Sequence, residues 1–97
     1  MNEYHLTLTR VREANGQAGE SESIHLDIKL HDEIYEIIDR VNGKNIFSEQ
    51  ATASEFAIGL KLFGEIIIKY RHTPLFNDFL PHFKSFMKKL KQYNGEN

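Results

Sequence analysis

The sequence predicts an α+β domain, an N-terminal antiparallel β-hairpin packed on three helices in the order ββααα. Three observations predict it. Two early stretches alternate apolar and polar residues with a period of two: Tyr4, Leu6 and Leu8, then Ile24, Leu26, Ile28 and Leu30. That is the pattern of half-buried strands. From Ile34 onward the apolar residues instead recur every three to four positions, the pattern of helices. The 97 residues, with 40% apolar and 27% charged content, suffice for one modest core and argue against a disordered chain. The expected domain spans residues 1–93, with 94–97 fraying.

The first strand places Tyr4, Leu6 and Leu8 on one face and His5, Thr7 and Thr9 on the other. Matching the apolar faces predicts Tyr4 opposite Ile28, Leu6 opposite Leu26 and Leu8 opposite Ile24, with Arg10 meeting Glu22. The polar connection contains Asn15-Gly16, a pair tolerant of positive φ, so a mobile hairpin tip is expected there. Asp32 is a candidate cap for a first helix carrying Ile34, Ile37, Ile38 and Val41, with Gly43 as a left-handed stop. Ile46 and Phe47 are expected to tuck into the core.

A second helix begins near Glu49, with Ser48 or a Thr52-Ala53-Ser54-Glu55 capping box as competing starts. It is apolar around most of its circumference. Phe56, Leu60, Phe63, Ile67 and Tyr70 form its axis, and Lys61, Glu65 and Lys69 form a narrow charged ladder opposite. This pattern predicts a buried central helix. Gly59 and Gly64 fall on its apolar side, where each costs about 0.8–1.0 kcal/mol relative to alanine and suggests a close neighbour. Thr73 then caps a third helix that starts at Pro74. Pro81 lacks an amide hydrogen, so that helix is expected to kink or split there. Beyond it Phe83, Phe86, Met87 and Leu90 point inward.

Gly59-Leu60-Lys61-Leu62-Phe63-Gly64-Glu65, then Lys69, Arg71, Pro74-Leu75-Phe76 and the Phe83-x-x-Phe86-Met87-Lys88-Lys89-Leu90-Lys91 tail, carry a resemblance. The chain resembles a small bacterial family known only as a domain of unknown function. The resemblance implies a compact α+β fold in a cytoplasmic bacterial protein. It implies no activity.

Composition narrows the function further. The absence of cysteine excludes disulfides, thiolate metal sites and cysteine nucleophiles. Met1-Asn2-Glu3-Tyr4-His5 has neither the basic nor the apolar region of a secretory signal, and no apolar run is long enough to span a membrane. A cytoplasmic protein without membrane attachment is expected. No nucleophile elbow, phosphate-cradling glycine loop or poised carboxylate pair is recognisable, so the chain reads as non-enzymatic and without a cofactor.

Three candidate surfaces remain. His5, His25 and Asp27 share the polar hairpin face as candidate metal ligands, though their spacing matches no established motif. Lys84, Lys88 and Lys91, with Arg71, are candidates for binding an anion or nucleic acid. The core-like spacing of the phenylalanines and the net charge of −2 argue against nucleic acid. The third surface is the unpaired edge of the hairpin, suited to a homodimer or another protein partner. Charge is lopsided along the chain. Residues 1–58 hold five Lys/Arg against eleven Asp/Glu, and residues 59–97 hold seven against three. The leading expectation is therefore a protein-interaction module that self-associates through the hairpin edge. The alternative is an anion or nucleic-acid binder using the basic last helix.

Overall fold

The computed structural model describes residues 1–14 and 22–94. The expected Asn15-Gly16 turn and the last three residues of the expected frayed tail lie outside them. The order is β1 (Asn2–Thr9), β2 (Ser23–Leu30), α1 (Ile34–Gly43), α2 (Gln50–Lys69) and α3 (Pro74–Gln92), an antiparallel hairpin followed by three helices. The chain divides into two compact units, Met1–His31 and Asp32–Asn97.

In the first unit the strands pair in the expected register: Tyr4 with Ile28, Leu6 with Leu26, Leu8 with Ile24. Alternation puts these on one face and Glu3, His5, Thr7 and Thr9, with their partners Lys29, Asp27, His25 and Ser23, on the other. The continuous strand pairing runs to Thr9 and Ser23. Among the described residues Arg10 makes no ion pair with Glu22, and its guanidinium lies 3.7 Å from Glu13.

The second unit is built around Val41 of α1 and Ala53 and Ala57 of α2, with Ile37, Ile38, Phe47 and Phe56 packed against them. Phe47 thus tucks in as expected. The start of α1 differs from expectation. Glu33 is the N-cap, its carboxylate accepting the Glu36 amide at 3.1 Å. Asp32 instead meets Lys61 at 2.7 Å. The left-handed residue after α1 is Asn45 (φ 57°), not Gly43, because the helix runs through Gly43 and turns two residues later. Helix α2 starts after Glu49, and neither Ser48 nor the Thr52 box caps it.

The burial of α2 is narrower than its composition suggests. Its buried stripe is Ala53, Ala57, Gly64 and Ile67, with Leu60 half-buried between them. Small residues on that stripe let a neighbour come close, whereas Phe63, on its flank, is 46% exposed. Two packed neighbours, α1 and α3, cannot cover a whole helical circumference. Nor is the charged ladder self-contained, since Lys61 leaves it for Asp32 and its side chain is only 21% exposed.

Helix α3 starts as expected, with Thr73 as N-cap and Pro74 in the first turn. The expected split at Pro81 does not occur, and the helix is continuous through it. The proline costs one intrahelical bond, the one the Asn77 carbonyl would accept. The exposed site leaves that carbonyl open to water.

Candidate functional site

Register alone brings the three candidate metal ligands together. His5 faces Asp27 directly, and His25 sits one pair along, opposite Thr7. The His5 Nδ1 lies 2.8 Å from an Asp27 carboxylate oxygen. A carboxylate only accepts, so His5 carries its proton on Nδ1 and keeps a lone pair on Nε2 in the neutral ring. That Nε2 is 3.3 Å from His25 Nδ1, and the two ring planes are inclined by 23° with centroids 5.4 Å apart. Thr7 Oγ1 is 3.4 Å from the same His25 nitrogen, and the row continues with a 2.6 Å contact between the Thr9 and Ser23 hydroxyls. Asp27 is held at one nitrogen of His5 and His25 at the other, so the three groups do not converge on one point. Among the described residues no set of three or more His, Asp or Glu side chains is arranged to hold a metal ion.

The second site lies within the helical unit. In α1 the i, i+3, i+4, i+7 set Ile37, Arg40, Val41 and Lys44 lies on one side of the helix. It faces Leu60 and Lys61 of α2 and the Met87-to-Lys91 turn of α3 across a cleft of about 450 Å³. Ile37, Val41, Leu60, Met87 and Leu90 form an apolar floor. Arg40, Lys44, Lys61, Lys88 and Lys91 form the rim, with Asp32 the one carboxylate among the described residues lining it.

The five cations are not equivalent. Lys61 is engaged by Asp32. Lys44 donates to the carbonyl oxygens of Lys91 (3.1 Å) and Tyr93 (3.2 Å), closing the C-terminus of α3. Arg40 has only a loose 3.9 Å contact with Glu36, itself largely exposed. The amines of Lys88 and Lys91 make no hydrogen bond or ion pair among the described residues.

A second cleft of about 290 Å³ adjoins the first, sharing Leu90. It is lined by Ile46, Phe47, Phe56, Phe86 and Tyr93, with Lys89 beside it. Phe56 organises its wall, with ring centroids 5.4 Å from Phe47 and 6.4 Å from Phe86.

Of the anion-binding candidates, Lys88 and Lys91 line the first cleft, whereas Lys84 and Arg71 line neither. Arg71 turns back to donate to the Ile68 carbonyl at 3.0 Å, closing the end of α2. Sequence reasoning missed Arg40 and Lys44, although their i, i+4 spacing beside Ile37 and Val41 was a signal for a basic rim on α1. It placed Lys61 on an outer ladder, and nothing local distinguishes that position from the rim of a cleft.

The family model of a domain of unknown function for which a structure has been solved, DUF3861, matches residues 2–92. The chain belongs to this family. A crystal structure of a protein of unknown function from Pectobacterium atrosepticum is similar to it, with 31% sequence identity and a TM-score of 0.80, over 94% of this chain and 97% of that one. The DUF3861 fold is thus the hairpin and three helices described above. No match is found among curated proteins. No helix of the described residues is long and apolar enough to cross a membrane.

Proposed function

We propose that this protein is a non-enzymatic interaction module whose helical unit takes up an acidic, amphipathic segment of a partner protein. The observation that carries this reading is the pair of adjoining clefts, apolar on the floor and cationic on the rim. The two clefts share Leu90 as a common wall, and a pair of neighbouring apolar pockets suits successive anchor side chains of a helix better than one compact ligand. Apolar anchors of the partner fill the clefts, and its carboxylates meet Arg40, Lys88 and Lys91. Each exposed ion pair contributes only about 0.2–1 kcal/mol, so the apolar anchors supply most of the affinity and the charges supply the selectivity.

The test is fluorescence anisotropy with a labelled helical peptide carrying Leu at i, i+4 and i+7 and Glu between them, against the same peptide with Lys for Glu. The acidic peptide binds more tightly, Lys88→Glu with Lys91→Glu removes the preference, and added salt weakens it. Equal binding of both peptides, or an unaffected double variant, refutes the proposal. So does tighter binding of single-stranded RNA than of the acidic peptide, which would favour the nucleic-acid alternative.

A second copy of the chain is a further partner, supported by the hairpin. Leu8, Ile24 and Leu26, on its apolar face, are 65%, 56% and 47% exposed. Among the described residues its sheet has two strands, so each strand offers an outer edge.

A further inference from the structure

The contact between His5 and His25 is exposed and held by two paired strands. Two imidazole nitrogens at 3.3 Å can share a proton. They can equally share a metal ion. Zinc binds histidine nitrogen at 2.0–2.1 Å with tetrahedral angles, which sets neighbouring ligand nitrogens about 3.3–3.4 Å apart. The observed separation is already that of two ligands on one zinc ion.

We propose that His5 Nε2 and His25 Nδ1 form a two-nitrogen zinc site on the polar face of the hairpin. Asp27 is not a ligand. By holding the proton on His5 Nδ1 at 2.8 Å it keeps the Nε2 lone pair available and fixes the ring, the role an outer carboxylate plays behind a zinc-bound histidine. The carboxylate also brings negative charge to the site. His25 must present Nδ1 to the metal, so its ring carries the proton on Nε2 in the bound state. The proton now shared between the rings leaves Nδ1 and one is taken from water at Nε2, with no net change. Water fills the two remaining positions, and Thr7 Oγ1, 3.4 Å from His25 Nδ1, is placed to hydrogen-bond one of them. With two protein ligands the site binds zinc more weakly than a three- or four-ligand centre.

Titration calorimetry with zinc chloride and nitrogen NMR of the five imidazoles test this on the full chain. One zinc per chain is expected, shifting His5 Nε2 and His25 Nδ1 and leaving His31, His72 and His82 unmoved. His5→Ala and His25→Ala each abolish binding, and Asp27→Asn weakens it roughly 10–100-fold. The wild-type spectrum decides the matter even if a variant loses its fold. Zinc shifts centred on the other three histidines, no uptake at millimolar zinc, or unchanged binding in both alanine variants overturns the site. Unchanged affinity in Asp27→Asn overturns the role given to the carboxylate.

Discussion

At the scale of single residues, the two glycines of α2 separate what a pattern suggests from what a neighbour demands. A Cβ built on Gly59 meets nothing within 4 Å, whereas one built on Gly64 meets the tip of Phe83 at 3.1 Å. The rings of Phe63 and Phe79 flank it at centroid separations of 6.2 and 6.3 Å, so a displaced Phe83 presses on both. Gly59→Ala should therefore stabilise the protein by about 0.5–1 kcal/mol through helix propensity and a less disordered unfolded chain. Gly64→Ala should forfeit that gain to the displaced ring. Thermal unfolding of the two variants checks this, and an equal rise in both would show that Phe83 does not constrain Gly64. Both glycines sit in the same apolar run, so the sequence assigned them one role. Only the position of α3 distinguishes them.

At the scale of elements, tertiary contacts decide where helices begin, end and continue. The third helix continues through Pro81 with no restart, so the proline is a local cost inside an intact element. Pro81 is exposed, and alanine there restores a donor to the Asn77 carbonyl without disturbing packing. Pro81→Ala should stabilise by about 2 kcal/mol, since roughly 3 kcal/mol of helix propensity is offset by up to about 1 kcal/mol of added freedom in the unfolded chain. Urea unfolding measures it, and a destabilised variant would mean the proline ring itself makes a needed contact. The helix ends are less legible in sequence than the helix bodies. Asp32 is the cap the sequence predicts for α1, yet Glu33 takes the role while Lys61 claims Asp32. Capping competes with distant partners that no local motif reveals.

At the scale of the whole molecule, the charge halves do not follow the structural units. Met1–His31 holds three Lys/Arg against five Asp/Glu, and Asp32–Asn97 holds nine of each. What concentrates positive charge is the first cleft, which draws Arg40 and Lys44 out of the acidic half of the sequence and sets them beside Lys88 and Lys91. Self-association belongs to the same scale. If copies meet through the hairpin, light scattering should give a mass above 11.3 kDa that rises with concentration, and Leu26→Lys should return it to the monomer value. A constant 11.3 kDa across micromolar concentrations would exclude a second copy as the partner.

The sequence by itself determined the hairpin register, the order of the elements and the row of polar residues that places His5 beside Asp27. These follow from period-two and period-3.6 alternation, which short stretches of chain carry without help. Tertiary structure alone decided that Gly64 meets Phe83, that Lys61 leaves its own helix for Asp32, and that cations from three helices rim one cleft. The physical reason is range. Periodicity assigns a residue to a face, but which side chains meet across two faces depends on how closely the helices approach, and that distance is set by the small residues Ala53, Ala57 and Gly64 on the buried stripe of α2.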